Sequence, residues 1–377
     1  MTLDPTTIKK LLAGMRKTNA SDLHIKVGVP PTYRINGILR PILPTALTED
    51  QADHILDAVI PPRLKERYEA SGDLDFAMYD EQGDRFRVNV FRSGGHTHAA
   101  IRRVNADVPS FERLHLPPIY RKLAEQTGEG LILIVGATGS GKSCTAAAMI
   151  EHINTTRAEN IITVEDPVEF RFVPKKSVIS QREIGIDVLD YNTALRSIVR
   201  QDPDVVFIGE MRDHATVLAA IQAAETGHLV FASMHTADTS QAFSRILEFF
   251  PPDEHSFIRG AVAGSLKAIC AQRLLPAAEG FVDASGKQVG VVPATEVLLN
   301  LPVVRDRIRD GGEADFPAIV ASSSGDGMRS FTSSLAELVA EDKVANRVAL
   351  DYAPNREALD ALIKGVSVKS QGLVGHR

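Results

Sequence analysis

A glycine-rich run has the residue types needed to hold a triphosphate. It occupies eight consecutive positions: Gly136, Ala137, Thr138, Gly139, Ser140, Gly141, Lys142 and Ser143. Glycines let backbone N–H groups converge on phosphate oxygens, and the N terminus of a following helix adds partial positive charge. Lys142 is then expected to reach the β and γ phosphates, and the Ser143 hydroxyl to ligate Mg²⁺. The loop therefore predicts ATP and Mg²⁺ as cofactors.

Acidic side chains follow two apolar segments that have the composition of buried strands. Glu210 comes after Val205–Ile208, and an acidic group running from Glu165 to Glu169 comes after residues 161–164. Ligands bind at the carboxyl ends of parallel strands, so these acids are expected near the same phosphates. Glu210 is predicted to meet Mg²⁺ and the attacking water, and either Glu169 or Glu165 to orient that water as a base. The alternative is a solvated, charged loop.

Histidines and arginines supply further candidates, each with a structural alternative. His228 and His235 flank the apolar segment Leu229–Met234. A lone histidine is more often structural than a phosphate sensor. Five arginines of the first part of the chain either form a solvated face or reach a triphosphate from outside its site, a task that suits the guanidinium group. They are Arg85, Arg87, Arg92, Arg102 and Arg103.

The elements that must position these residues change in type along the chain. From Ile119 onward, apolar strand, glycine turn and helix repeat, which predicts an α/β domain with a largely parallel sheet. Candidate core strands span residues 131–135, 161–164, 205–208 and 229–234. A helix between the last two strands is predicted to begin after Asp213 and to end at Gly227. After about Thr295, helical patterns dominate.

The first hundred residues predict a small mixed domain. An amphipathic helix is expected around Ile8 to Arg16 and a hairpin turn at Asn36-Gly37. Alternating apolar and polar residues from Arg85 to Val90 predict a half-buried strand. The segment from Asn105 to Pro118 contains three prolines and little periodicity, which is typical of a linker.

Composition excludes several classes of protein. The net charge of −6 argues against a nucleic-acid binder. Cys144 and Cys270 stand far apart, so a reducing, cytoplasmic location is expected and neither a disulfide framework nor a zinc site is indicated. No apolar run approaches the roughly 20 residues of a membrane-spanning helix, and the first ten residues lack the core of a secretory signal. Any membrane association is therefore expected to occur through partners.

Taken together, the motifs resemble the secretion ATPase superfamily of type II secretion and type IV pilus motors, and within it the PilT-like retraction ATPases. The resemblance covers nearly the whole chain. Residues 20–24 and 28–31 are similar to the family's opening segment, and residues 85–89 follow it. The acids from Glu165 to Glu169 resemble its Asp box, residues 209–213 its Walker B segment, and residues 226–236 its His box.

The resemblance implies a fold and an assembly. The expected fold class is α/β, with a PAS-like N-terminal domain over residues 1–105, a linker over 106–118, a RecA-like P-loop core over 119–295 and a helical C-terminal region over 296–377. A homo-hexameric ring is implied, with nucleotide-responsive His228 and His235. Arg87 and Arg102 match positions from which the N-terminal domain supplies arginine fingers.

The implied function is ATP hydrolysis that powers pilus retraction and twitching motility. Its partners would be an inner-membrane platform protein and a paralogous pilus ATPase, at the inner face of the cytoplasmic membrane. Residues 301–311 resemble the helix motif tied to retraction, and the four-cysteine zinc element of assembly motors is missing. The alternatives are an assembly or secretion ATPase, a nucleic-acid translocase and a small-molecule kinase. The acidic charge disfavours the translocase, and the N-terminal domain disfavours the kinase.

Overall fold

The computed structural model describes residues 6–35, 37–104, 107–284 and 286–365, which divide into two compact units. The first unit comprises the described residues up to Asp107, together with the short segments Val168–Arg171 and Gly185–Asp187. The second comprises Val108–Pro167, Phe172–Ile184 and the described residues from Val188 onward. Each unit contains its own sheet and its own hydrophobic core.

The first unit is a six-stranded sheet, in the order β3-β2-β1-β6-β5-β4, whose neighbouring strands pair antiparallel. Its strands are β1 (Asp22–Ile25), β2 (Thr32–Ile35), β3 (Ile38–Pro41), β4 (Asp73–Tyr79), β5 (Arg85–Ser93) and β6 (His96–Arg103). Its helices are α1 (Thr6–Thr18), α2 (Glu49–Val59), α3 (Lys65–Ser71) and the 3₁₀ helix Pro62–Leu64.

The sequence pattern explains the elements of this unit. Helix α1 buries Leu12 and Met15, as the amphipathic pattern predicts. In β5, Phe86 and Val88 are fully buried, which confirms the predicted half-buried strand. Asn36 of the predicted turn lies outside the described residues, while the strands on either side of it pair antiparallel.

The second unit is built on a seven-stranded sheet, in the order β13-β12-β7-β11-β10-β8-β9. Its neighbours pair parallel, except for β12 and β13, which pair antiparallel. The strands are β7 (Gly130–Val135), β8 (Asn160–Glu165), β9 (Val178–Glu183), β10 (Val205–Ile208), β11 (Leu229–Met234), β12 (Leu266–Pro276) and β13 (Val291–Leu299). All four predicted core strands are confirmed, whereas β9, β12 and β13 were not predicted.

Helices cover this sheet and continue beyond it. They are α4 (Pro118–Gln126), α5 (Lys142–Thr156), α6 (Tyr191–Ile198), α7 (His214–Glu225), α8 (Thr239–Glu248), α9 (His255–Ser265), α10 (Pro302–Asp310), α11 (Phe316–Ser322), α12 (Phe331–Ala340), α13 (Asn346–Tyr352) and α14 (Arg356–Ile363). Short 3₁₀ helices lie at Val199–Gln201, Pro252–Glu254, Glu313–Asp315 and Ser324–Asp326. The predicted helix before β11 is confirmed as α7, because Asp213 Oδ1 accepts a hydrogen bond from Thr216 N at 2.9 Å.

Two further observations concern the sequence predictions. Phe111, inside the predicted linker, is buried and packs its ring against His152 at 5.4 Å, within the second unit. No helix among the described residues has the length and apolar character needed to cross a bilayer.

Candidate active site

The phosphate loop joins strand β7 to helix α5, and close contacts require its glycines. A Cβ on Gly136 would lie 2.4 Å from Ser140 Oγ and 2.5 Å from the backbone oxygen of Gln272. Gly141 has a φ of 88°, in the left-handed region that glycine adopts most readily. Gly141 is also the N-cap of α5, and no side chain caps that helix. The N terminus of α5, whose partial positive charge favours an anion, is therefore not blocked by a capping side chain.

Lys142 lies inside this loop with its ammonium group already directed at acceptors. Its Nζ donates to the carbonyl oxygens of Gly136 at 2.9 Å and Ala137 at 3.1 Å, and the side chain is buried. These carbonyl oxygens stand where phosphate oxygens would accept from the same ammonium group. Ser140 Oγ is buried and has no hydrogen-bond partner among the described residues. A buried cation and an unused hydroxyl in one loop fit a bound phosphate group.

Gln272 ties the phosphate loop to the central sheet. The residue lies on β12 and is 1% exposed. Its Nε2 donates to the Ser140 carbonyl oxygen at 2.6 Å, and its Oε1 accepts from Thr145 Oγ1 at 2.8 Å. One buried amide therefore fixes both the loop and the first turn of α5, which preorganises the loop for its ligand.

Glu210 follows β10 and is held by two cationic or polar partners. Its Oε2 lies 2.7 Å from an Arg212 guanidinium nitrogen, and its Oε1 lies 3.1 Å from His235 Nε2. The hydrogen bond to Glu210 is the main cause that raises the pKa of Arg212 above its ordinary value. The same guanidinium lies 3.6 Å from Asp166 at the end of β8. Arg212 therefore balances the negative charge at this edge of the sheet.

His235 connects Glu210 to the phosphate loop. Its Nδ1 lies 3.4 Å from Lys142 Nζ and 3.4 Å from Thr138 Oγ1, while its Nε2 faces Glu210. The imidazole thus bridges the residue aimed at the phosphates and the carboxylate at the strand end. An imidazole in this position can respond to the charge of a terminal phosphate.

The two other predicted acids belong to different units. Glu165 is the last residue of β8 and is buried, accepting from Thr163 Oγ1 at 2.6 Å and from Gln181 Nε2 at 3.3 Å. Glu169 is exposed and belongs to the first unit. The structure therefore groups Glu165 with Glu210 in one unit and does not group Glu169 with them.

His228 lies at the opposite end of its strand from His235. Since β11 pairs parallel with β7, with Leu229 opposite Gly130, His228 is at the edge of the sheet away from the phosphate loop. A strand of this length separates the two histidines by about 20 Å. His228 Nδ1 lies 2.9 Å from the Ala223 carbonyl oxygen, at the end of α7. Within one chain, its contacts are structural.

Arg87 and Arg102 lie in the first unit, directly opposite each other on β5 and β6. Arg102 Nε donates to Asp22 Oδ1 at 2.8 Å, although the arginine side chain is 69% exposed. Burial would raise the pKa of Asp22, but hydrogen bonds from Ser21 and Arg102 outweigh it, so that pKa is below its ordinary value. The pair of arginines thus forms a positive site on the sheet of this unit.

Two residues of the site received no role from the sequence. Gln272 stands in the run from Ala268 to Leu275, where a buried amide between apolar residues is a signal for a polar contact. Arg212 follows Glu210 by two positions, and arginine is the residue suited to pairing with a carboxylate at short range. Both signals are present in the sequence, but neither names the partner.

Comparisons with known proteins identify the family of this chain. The family model "Type II/IV secretion system protein" matches residues 4–295. The chain is 35% identical to the type IV pilus ATPase PilU of Pseudomonas aeruginosa, over 94% of this chain and 91% of that protein. It is 34% identical to the pilus retraction ATPase PilT of the same organism, over 92% of this chain and 98% of that protein.

Solved structures give the same result. A crystal structure of the pilus retraction motor PilT with bound ADP is 35% identical and matches with a TM-score of 0.82, covering 94% of this chain and 98% of that one. The Legionella pneumophila ATPase DotB shares the fold, with a TM-score of 0.74 at 24% identity over 96% of both chains. The protein therefore belongs to the type II/IV secretion system protein family, among its PilT-like, ATP-hydrolysing members.

Proposed function

We propose that this protein is a hexameric motor that hydrolyses ATP to power the retraction of type IV pili. The observation that supports this most is the chain of contacts from Lys142 through His235 to Glu210, at the carboxyl end of a parallel sheet. Such a chain links the occupancy of the phosphate site to the carboxylate beside the reacting water. Relatives similar over most of their length are named as pilus retraction and twitching motility proteins.

The chemistry assigns a task to each residue. Backbone N–H groups of residues 136–143 bind the phosphates, and Lys142 neutralises charge on the β and γ groups. The Ser143 hydroxyl and the Glu210 carboxylate, which follows β10, would supply oxygen ligands of the kind Mg²⁺ prefers. The metal would neutralise charge on the phosphates. Glu210 would meet the metal and the attacking water, and either Glu165, which is buried and hydrogen-bonded, or Glu169 would orient that water as a base.

The assembly gives the first unit its role. We propose a division into residues 1–105, a linker 106–118, an ATPase core 119–295 and a helical region 296–377. In a ring, Arg87 and Arg102 would reach the nucleotide of a neighbouring subunit, so that each site is completed by two chains. The partners would be an inner-membrane platform protein and a paralogous pilus ATPase, with the ring at the cytoplasmic face of the membrane.

A charged helix in the C-terminal region suits contact with such a partner. Helix α10 buries Val304 and Ile308, whereas Asp306 and Arg309 are exposed and lie 3.8 Å apart. Arg259 anchors the helix from α9 by donating to the Ile308 carbonyl oxygen at 3.0 Å. The apolar side is thus packed on the core, Asp306, Arg309 and Asp310 are exposed, and Arg305 and Arg307 are half-buried.

Subunit mixing tests the proposal. Arg102→Ala and Lys142→Ala chains should each be inactive alone, whereas mixtures should recover part of the ATPase activity, and wild-type activity should rise faster than linearly with concentration. Arg40→Ala, an exposed arginine on β3 of the same unit, is the matched control and should behave as wild type. Activity that is independent of concentration in a monomer by light scattering would reject shared sites.

A cellular measurement tests the direction of work. In cells whose own copy is replaced by the Glu210→Gln variant, pili should form but should not retract under an optical trap. Normal retraction in those cells, or a complete loss of pilus formation, would contradict the proposed function.

A further inference from the structure

Tyr191 places a hydroxyl group at the edge of the active site without giving it a partner. It is the first residue of α6, whose N-cap Asp190 accepts from Thr193 N at 2.7 Å. The ring packs on the core of the second unit. The hydroxyl oxygen is enclosed and makes no hydrogen bond with any described residue. Because the Asp190 cap fixes the start of α6, the Tyr191 ring has a defined direction.

The groups around this hydroxyl are those of the candidate site. A Cβ built on Gly209, the residue before Glu210, would lie 3.0 Å from the Tyr191 oxygen. The charges that act on the phenol belong to Asp166, Arg212, Glu165 and Glu210. Burial, followed by the charge of Asp166, raises the pKa of the phenol far above its ordinary value. The group therefore stays protonated and can act as a hydrogen-bond donor.

A buried donor beside three carboxylates is costly unless some state of the molecule uses it. In the present arrangement Glu210 is engaged by Arg212 and His235. A Glu210 carboxylate that turns toward a water on the γ phosphate can exchange one of these partners for another donor. The Tyr191 hydroxyl is a buried donor beside Gly209 that has no hydrogen-bond partner among the described residues.

We propose that Tyr191 is a positioning residue of the ATPase site, and that its hydroxyl donates to the Glu210 carboxylate when that carboxylate leaves Arg212 and turns toward the reacting water. The inference rests on the proposed role of Glu210. It predicts that the hydroxyl contributes to turnover but little to the binding of ATP. It also predicts that the hydroxyl adds no stability to the nucleotide-free protein.

The Tyr191→Phe variant tests this, because it removes the hydroxyl and keeps the ring. We expect kcat to fall on the order of tenfold, as for a lost hydrogen bond to a charged group, with KM for ATP changed by less than about twofold. The nucleotide-free variant should melt at the same temperature as wild type or higher. A non-hydrolysable ATP analogue should raise its melting temperature as much as it raises that of wild type, because binding is unchanged. Tyr352→Phe, on α13, is the control and should leave all four quantities unchanged.

Two results would overturn the inference. One is a Tyr191→Phe enzyme with wild-type kcat, and the other is a loss of kcat accompanied by a lower melting temperature without nucleotide, which would make the tyrosine a packing residue. The Glu210→Gln variant is measured in parallel. If it still hydrolyses ATP, the proposed function of Glu210 fails, whereas an inactive Glu210→Gln beside an unaffected Tyr191→Phe overturns the role of Tyr191 alone.

Discussion

The two units of this protein use charged side chains in different ways. In the first unit, Asp84 Oδ2 accepts from Arg16 Nε and Arg103 Nε, each at 2.8 Å, so one carboxylate joins α1 to the sheet. In the second unit, carboxylates gather after the carboxyl ends of parallel strands, where Glu210 keeps 19% of its side chain exposed. Charges of the first kind stabilise a fold, whereas charges of the second kind remain available to a ligand.

This difference explains why Glu210 is a better candidate for a functional role than Asp84, although both are paired carboxylates. The partners of Asp84 come from the same unit and satisfy it, and its pKa falls below the ordinary value because hydrogen bonds from both arginines outweigh burial. The partners of Glu210 include His235, which also faces the phosphate loop. Only the second arrangement connects a carboxylate to a place where a reaction can occur.

The largest expected effect is a loss of ATPase activity on substitution of Lys142, in the second unit. Lys142→Ala removes the charge that meets the β and γ phosphates, and ATPase activity should fall by at least about 1,000-fold. Lys122→Ala, on the exposed side of α4, is the control and should keep wild-type activity. Phosphate release under saturating ATP measures both. An active Lys142→Ala enzyme would mean that the phosphate loop does not hold the substrate.

A smaller effect is expected at Gln272, whose role is to hold the loop. Gln272→Ala leaves the Ser140 carbonyl and the Thr145 hydroxyl without their buried partner, at a cost of about 2–4 kcal/mol of unfolding free energy. The affinity for nucleotide should fall as well. Urea unfolding measures the stability, and ADP titration measures the affinity. Gln272→Glu keeps an acceptor for Thr145 but places a buried carboxylate against the Ser140 carbonyl oxygen, so it should destabilise the protein at least as much. Normal affinity in both variants would refute the bracing role.

The ion pairs of the first unit should contribute less, and they should do so with a defined pH dependence. Asp84→Asn should cost on the order of 1–2 kcal/mol, discounted for partial exposure. Because the folded pKa of Asp84 is below 3.8, its stabilisation is present above about pH 4 and is lost as pH falls through the folded value. Urea unfolding followed by circular dichroism measures this. The difference in unfolding free energy between wild type and Asp84→Asn should be smaller at pH 3 than at pH 7. An unchanged stability at pH 7 would contradict the role of Asp84.

The smallest effect on stability is expected on α10. The double exchange Asp306→Arg with Arg309→Asp keeps the pair and reverses its polarity, so the unfolding free energy should change by less than about 0.5 kcal/mol. ATPase activity should persist while pilus retraction is lost. If retraction also persists, the charged side of α10 is not the partner surface.

Much of the fold could be predicted because its signals are local. The four central strands are predominantly apolar runs, and Asp213 and Gly227 mark the ends of α7. Strands β12 and β13 escaped prediction because polar residues such as Gln272 and Glu296 interrupt their apolar pattern. Glu296 accepts from Thr239 N and Oγ1, which are distant from it in sequence. Such contacts have no local signal.

The sequence predicted the site to about the same extent as the fold. The phosphate loop and Glu210 follow from motif and strand context, and the structure brings them together through His235. The placement of His228 depends on strand direction, and that of Glu169 on which unit its segment joins. Neither strand direction nor unit membership can be seen from the residue itself. The sequence therefore predicts His228 and His235 equally, and Glu169 and Glu165 equally.

The central claim, that a carboxylate at the end of β10 activates water against ATP held by the phosphate loop, is tested most directly by Glu210→Gln. The change keeps the size of the side chain and removes its charge. Nucleotide affinity and phosphate release should be measured on the same preparation. We predict ATP affinity within about threefold of wild type and turnover reduced at least about 100-fold. Near-normal turnover with intact binding would contradict the account.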